Sequence, residues 1–455
     1  MKTTTIKRKW FTESGQRLDA SYHLSDGVKT KRIIDLFCPF PTISLINESD
    51  KLFKGNIHKR VYVDSPESGL TFFTASDLFK TSLETGKYIS KKYSPYLEDL
   101  ELKKDWILIT RSGTLGKVIF TNSDLESKIG TDDLVRIKPK EKKIKKGFLY
   151  AFLASRYGYG LLTQSSYGGV VKHIEPHHVE NIKIPVFPND EQVKIDSLII
   201  NASNFRVKAN KFLIEAIEYF ENLIGHSDAN LGCQFGIVKS ESINQFYKRF
   251  DAQYQLLNKT LKNEKKGNLK YEKISKYADS IFVGGRGKRV YVENGVPFLS
   301  SSEMMLYNPK RSCKKVSTTT PGLNLMTVSK KDILISRSGT VGNSVLVGND
   351  LADTAVSEHA LRLVINQKKI SSNYVFCFLR TKYGIKSLES SSFGSVIITL
   401  NEDLIGNINM PIVGKEDQDK ISALIEKHIN FLDQSVELEN QAIDLVEKEI
   451  EEWDK

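Results

Sequence analysis

The sequence predicts an α+β chain made by duplication: two similar mixed α/β domains held apart by two long antiparallel coiled-coil helices, the halves related by a pseudo-two-fold. Three observations predict it: a repeat at constant spacing, the same order of apolar patterns in each copy, and a long breaker-free stretch closing each copy. KKDWILITRSGTLG (103–116) returns as KKDILISRSGTVG (330–342), and IKIPVFPNDEQVKI (182–195) as INMPIVGKEDQDKI (408–421). Arg111 and Arg337, Tyr167 and Phe393, Pro185 and Pro411, and Gln192 and Gln418 each lie 226 residues apart. Upstream, KRVYV (59–63) returns at 288–292 and RLDASY (17–22) as RFDAQY (249–254), with the drift in spacing that loop insertions cause. Two copies of about half the chain each are not a solenoid, which needs three or more short units. The expected boundaries are a first domain over 1–189, a long helix over 190–226, a second domain over 227–415 and a second long helix over 416–455.

Within each copy the elements follow one order. A basic, loop-rich and strand-rich region comes first. WILIT and DILIS are short β-rich apolar runs ending at a Ser-Gly turn, read as strand then turn. FLYAFLASRYG and YVFCFLRTKYG space aromatic and aliphatic residues three and four apart, read as a short helix stopped at glycine. A turn carrying SSYGG (165–169) or SSFGS (391–395) follows, then a strand ending in IKIPV or INMPI. The extra Trp106 of the first copy predicts a bulged strand there. KPKEKKIKKG (138–147) reads as a solvated hairpin end or a phosphate patch. In the last stretch Ile421, Leu424, Ile425, Ile429, Leu432, Val436, Ile443, Val446, Ile450 and Trp453 fall mostly three, four or seven apart, the seam of a helix packed along its length. Thirty-five residues at helical rise span roughly 50 Å.

A chain of 455 residues has room for two to four domains at ~100–200 residues each. Its composition, 40% hydrophobic and 27% charged, is that of a soluble globular protein. No apolar run reaches the ~18 residues of a membrane span, and the basic N-terminus is not followed by the apolar core of a secretory signal. The four cysteines form no CxxC pair, so a reducing cytoplasm is the expected setting. The formal charge is +11, unevenly placed. Residues 415–455 carry 5 Lys against 13 acids, and residues 190–226 carry 4 bases against 6 acids, which leaves +21 on the rest. A basic body joined to two acidic stretches implies a polyanion partner.

Enzyme motifs do not assemble. A methyltransferase needs a Gly-rich cofactor turn and an Asn/Asp-Pro-Pro-aromatic segment, and Asn308-Pro309-Lys310 is not that segment. Gly284-Gly285-Arg286-Gly287-Lys288-Arg289 fails the phosphate-loop spacing. It reads as a loop opening the second domain, or as amides with Arg286, Lys288 and Arg289 facing a phosphate. Asp99, Glu101 and Lys103 make a short nuclease-like pattern of the kind that arises by chance in charged chains. His173, His177 and His178 have no counterpart in the second copy and read as a surface cluster. No metal and no cofactor is expected.

KKDILISRSGTVG with its earlier twin, GVPFLSSSEM (295–304), SSYGG and SSFGS, and the closing IPVFPNDEQVKI resemble the specificity (S) subunits of type I restriction–modification systems. The likeness covers nearly the whole chain and rests on motif order, twice over. One departure is the strand-to-helix junction, P-x-P-P-x-x-E-Q in the family. The first copy, IPVFPNDEQ, keeps Glu191-Gln192, whereas the second, MPIVGKEDQ, lacks two prolines and has Asp417 before Gln418. The resemblance implies two target recognition domains that each read half of a split double-stranded DNA site. It implies helices that dock two methyltransferase subunits and act as a ruler, a complex to which restriction/translocase subunits are added, and a chain that is itself non-catalytic.

The twin RSGT turns offer a guanidinium, hydroxyls and unhindered amides to a phosphate or a guanine edge. Because both copies keep them, Arg111, Ser112, Thr114, Arg337, Ser338 and Thr340 are read as scaffold with phosphate contact as the alternative, the arginines pairing with Asp105 or Asp332. Tyr167 and Phe393 of the SSYGG and SSFGS segments are read the same way. Base reading belongs to segments where the copies differ, about 40–60, 77–102 and 303–325. There Lys54, Asn56, His58, Lys59, Arg60, Lys91, Lys92, Lys310, Arg311 and Lys314 are interleaved with tyrosines. Three rivals stay open on sequence: an S-like DNA-recognition adaptor of another phage-defence complex, a stand-alone DNA-modifying or DNA-cutting enzyme, and a structural dimerisation protein.

Overall fold

A computed structural model describes residues 5–13, 16, 18, 20–57, 59–164, 173–225, 237, 239–243, 249–252, 254–256, 269–338, 341–394 and 398–453. The chain folds as two compact units, one of residues 1–207 with 434–455 and one of residues 208–433.

The first unit carries β1 (Thr42–Ser44), β2 (Ser49–Lys54), β3 (Tyr62–Val63), β4 (Gly69–Phe73), β5 (Tyr88–Ser90), β6 (Ile107–Thr110), β7 (Val118–Phe120), β8 (Ile129–Gly130), β9 (Leu134–Pro139) and β10 (Lys183–Pro185). One sheet has the order β2-β9-β6-β7 and is antiparallel; the other is β3-β5-β4-β8, closed by a parallel β4–β8 pair; β1 and β10 pair separately. β6 is buried at all four residues because both of its faces are covered. Ile107 and Ile109 point into a core with Val135, Ile137 and the helices, while Leu108 points into a second core with Phe73, Leu102, Ile119 and Leu134. An apolar run without alternation is what such a strand requires.

Besides the short helices Arg8–Glu13 and Ala20–His23, the described helices of this unit are α1 (Asp26–Phe37), α2 (Lys146–Ala154), α3 (Arg156–Gln164), α4 (Pro176–Val179) and the first half of α5 (Asn189–Ile224). The glycines after α2 do not stop the helix. Ser155 breaks it and recaps α3, accepting the Gly158 N–H at 3.1 Å. Gly158 lies within α3, where a Cβ would come 2.1 Å from the Phe152 carbonyl oxygen, so the corner needs glycine for closeness. α1, absent from the expected order, is capped by Ser25 and crosses α3 where Gly27 meets Gly160. Residues 138–147 do not turn a hairpin; they join β9 to α2, with Glu48 accepting the amides of Lys143 and Ile144 at 3.0 and 3.2 Å. β6 pairs in regular register despite Trp106, and the shift sits instead in β2, between Ser49 and Lys51. Asp105 and Lys331 both take positive φ, +64° and +74°, so Trp106 occupies the place that Asp332 holds in the second copy.

The second unit repeats the plan with β11 (Lys270–Lys273), β12 (Ala278–Val283), β13 (Tyr291–Val292), β14 (Val296–Leu299), β15 (Lys314–Val316), β16 (Ile333–Ser336), β17 (Ser344–Leu346), β18 (Ala355–Val356), β19 (Ala360–Ile365) and β20 (Asn409–Ile412). The orders β12-β19-β16-β17, β13-β15-β14-β18 and β11-β20 match the first unit strand for strand. α6 (Ser372–Arg380), α7 (Lys382–Ser391) and α8 (Glu402–Gly406) precede the long α9 (Lys415–Glu452). The α6–α7 corner repeats the device: Thr381 accepts the Gly384 N–H at 3.0 Å, and a Gly384 Cβ would lie 2.0 Å from the Phe378 oxygen. The altered second junction keeps its fastening, since Gln418 Nε2 donates to Val413 O at 2.8 Å as Gln192 Nε2 donates to Phe187 O at 2.9 Å.

Each unit contains one half of each long helix. In the first, Ile195 and Ile199 share a core with Ala442, Ile443, Val446 and Ile450, and Arg206 pairs with Glu439 at 3.4 Å. In the second, Leu213, Phe220 and Ile224 share a core with Ile421, Ile425 and Ile429; Phe212 stacks on Phe431, and Tyr219 donates to Asp417 at 2.6 Å. Within each unit the two helices therefore run antiparallel. Each set of short helices is also tied to the helix end from the opposite repeat. The Arg156 N–H donates to Glu447 and the Lys382 N–H to Glu221, both at 2.7 Å, a carboxylate at a helix N-terminus each time. Among the described residues no helix is long and apolar enough to cross a membrane.

Candidate nucleic-acid interface

In the first unit the end of β6 delivers Arg111 into the fold. Its Nε donates to Ile174 O at 2.9 Å, and its guanidinium pairs with Glu175 and lies 3.5 Å from Asp133. The expected partners are otherwise engaged, Asp105 with Lys146 at 3.0 Å and Asp332 with Arg362 at 3.6 Å, because both carboxylates lie at the start of the strand and not at its end. Lys54 pairs with the other oxygen of Glu175 at 2.9 Å. Ser112 donates to Asp133, and Arg60 pairs with Asp132 while lying 5.2 Å over the Phe72 ring. Lys54, Arg60, Arg111 and Ser112, from separate stretches of chain, thus meet in one cluster of three cations and three carboxylates. Burial works against ionisation of Glu175, yet the hydrogen bonds and charges of Lys54 and Arg111 outweigh it and hold its pKa below the usual carboxylate value. Gly113 and Thr114 at the tip are exposed, and nothing lies within 4 Å of a Cβ built at Gly113.

The other nominated residues of this unit stand outside the cluster. Asn56 donates to Asp99 at 3.4 Å; Lys59, Lys91 and Lys92 are exposed, Lys92 over the Tyr93 ring at 5.2 Å. His58 and Tyr167 lie outside the described residues. His178 closes the cap of α4 by accepting the Glu175 N–H at 3.1 Å.

The second unit repeats the framework. Arg337 Nε donates to Leu400 O at 3.1 Å, the counterpart of the Ile174 bond. Ser338 meets His359 Nδ1 at 2.9 Å, and Arg289 pairs with Glu358 while lying 4.7 Å over Phe298. Glu358 is held below its usual pKa: burial opposes ionisation, but its own backbone N–H and the charges of Arg289, His359 and Arg286 prevail. Thr399 bridges to both Ser338 and Phe393, which brings these two residues to one place and leaves Phe393 partly exposed. Arg286 and Lys288 are exposed, Lys314 lies 5.2 Å over the Tyr291 ring, Lys310 pairs with Asp350 at 3.2 Å, and Arg311 is half-buried. Thr340 lies outside the described residues.

Sequence reasoning nominated the cations and missed what holds them: Asp132, Asp133, Glu175, Glu358 and His359. It also missed a buried arginine beneath each cluster. Arg136 is fully buried and donates to Gly130 O and Thr131 O at 3.2 and 2.9 Å, holding the turn that carries Asp132 and Asp133. Arg362 donates to Met326 O at 2.9 Å. A signal existed, since these arginines also lie 226 residues apart. Burial lowers the pKa of Arg136 to about 10, with only the charge of Asp99 in opposition, because Trp106 stands where Asp332 accompanies Arg362.

The sequence profile of the Type I restriction modification DNA specificity domain matches residues 26–219 and again 285–448. Among solved structures the chain is similar to the S subunit of a type I restriction-modification system from M. genitalium, at 16% identity over 91% of this chain and 95% of that one, TM-score 0.32. It is also similar to the HsdS subunit from Thermoanaerobacter tengcongensis, at 14% identity over 92% and 95%, TM-score 0.28. The profile matches cover most of the chain and fall once in each repeat, so the chain belongs to the type I restriction modification DNA specificity family and is a DNA-recognition specificity subunit.

Proposed function

We propose that this chain reads a bipartite, asymmetric double-stranded DNA site, one half with residues 1–189 and the other with residues 227–415. Each domain inserts loops into a major groove, where Arg, Lys, Asn and Gln side chains meet base edges while surrounding cations neutralise phosphates. Residues 190–226 and 416–455 set the spacing and dock two methyltransferase subunits, with restriction/translocase subunits added to that complex. A spacer of ~50 Å, against a B-DNA turn of roughly 34–36 Å, puts the half-sites about one turn apart or somewhat more. The methyltransferases flip and methylate an adenine in each half; this chain supplies recognition and no catalytic group.

The observation that carries the reading is that the chain builds one framework twice and furnishes its exposed rim differently. The shared arginines are engaged internally, Arg111 with Glu175 and Arg337 with the Leu400 carbonyl. Lys59 and Tyr62 in one unit and Lys288 and Tyr291 in the other are a shared exposed pair; beside it the rim holds Lys91, Lys92 and Tyr93 in one unit and Arg286 and Lys314 in the other. Two different rims suit two different half-sites. Exchanging residues 40–102 for the matching segment of another specificity subunit tests it by sequencing methylated genomic DNA. One half of the methylated motif should change and the other should stay; a change in both halves, or in neither, would contradict the reading.

A further inference from the structure

We infer that Asp133, and at the equivalent position His359, determine base specificity in their respective half-sites. The inference rests on the proposed DNA reading and assigns residues within it.

The two positions have the same backbone surroundings. Each immediately precedes an inner strand of its sheet, β9 or β19. The Arg111 N–H donates to Asp133 O at 3.3 Å, and the Arg337 N–H donates to His359 O at 2.9 Å. The side chains also share a partner, the serine of the repeated turn, Ser112 in one unit and Ser338 in the other. The preceding residue is an acid in both copies and holds the arginine of KRVYV. The backbone bonds, the serine partner and the acid–arginine pair are kept, yet the side chain changes from a carboxylate to an imidazole.

A residue needed only for the framework would be expected to stay as its neighbours do. Here the side chain is held by the serine hydroxyl, with Arg111 3.5 Å from Asp133 and Glu358 3.9 Å from His359, and it remains reachable: Asp133 is 29% exposed and His359 50%. A polar group held in place beside an open turn is suited to reading. The two chemistries select different edges. A carboxylate only accepts, so Asp133 suits an exocyclic amino group, N4 of cytosine or N6 of adenine. An imidazole N–H donates, so His359 suits an acceptor edge such as N7 or O6 of guanine.

The test is selection of duplexes from a randomised pool by the full chain, unaltered and with Asp133→His, Asp133→Asn or His359→Asp. Asp133→His should shift base preference about tenfold at one position of one half-site, and His359→Asp likewise in the other half. Asp133→Asn keeps a partner for Ser112 and adds a donor, so it should relax preference at that same position; it decides the matter if Asp133→His does not fold. Unchanged preference at every position, or a uniform loss across all sequences, would overturn the inference while leaving the DNA reading standing. Failure of the unaltered chain to enrich any split motif would overturn both.

Discussion

Arg136 shows how a cation can be kept inside a protein without a carboxylate in contact. Its two terminal nitrogens donate to the carbonyls of Leu100, Gly130, Thr131 and Leu134, so main-chain dipoles replace much of the lost hydration, while Nε has no partner. Arg136→Met should cost about 3 kcal/mol in urea unfolding, since an unsatisfied buried carbonyl costs about 1–3 kcal/mol; a loss near zero would mean that water replaces the guanidinium. His428 is the opposite case, a titratable group kept neutral. It is buried, bonded through Nδ1 to Ala209 O at 2.9 Å and stacked on Phe376. Burial lowers its pKa to about 4, against a smaller upward effect of the Ala209 carbonyl. The unfolded imidazole takes a proton below about pH 6.5 and the folded one does not until about pH 4. The unfolded state binds more protons in that window, so stability is full above it and falls as pH drops through it, by up to about 3 kcal/mol. Urea midpoints measured from pH 7 to 5 should decline, and His428→Leu should flatten that decline.

At the scale of elements, the chain relies on paired short helices that turn a tight corner. In each unit a hydroxyl at the break caps the second helix, and a glycine three residues later lets it lie on the first. Gly158→Ala and Gly384→Ala should each cost about 2 kcal/mol, because the clash is with a main-chain carbonyl that cannot rotate away. Thermal unfolding of the two variants would check this, and tolerance of both would mean that the corner can open. The long helices follow a different logic. α5 and α9 contain no proline and carry apolar seams, but they gain their burial from the short helices and sheets as well as from each other.

Across the whole molecule, duplication has produced two units whose repeated turns are tied by different ion pairs. The cluster at the first turn sets Lys54, Arg60 and Arg111 against Asp132, Asp133 and Glu175. The second pairs Arg289 with Glu358, with Arg286 close enough to act on the same carboxylate. Arg286 and Lys288 of the second unit are exposed to offer charge to phosphates. Replacing Arg286 and Lys288 together by Ala should reduce the slope of log K against log salt by about 2 while leaving the preferred sequence unchanged. Binding titrations over a salt series would show it, and altered sequence preference would mean that these side chains read bases instead.

The duplicated architecture was legible from residue order. ILIT and ILIS, IKIP and INMP, and the two long seams are local patterns whose periodicity dictates strand or helix before any distant contact forms. The fate of the charged residues was not legible in that way. Arg111 is a strand-end arginine in sequence, and only folding brings Glu175, sixty-four residues on, against it. The same holds for Arg60 with Asp132, for the buried Arg136, and for the crossing of Gly27 on Gly160 that seats α1. Hydrophobic periodicity is read over a few neighbouring residues, whereas an ion pair or a close approach of two backbones joins partners that the chain alone leaves far apart.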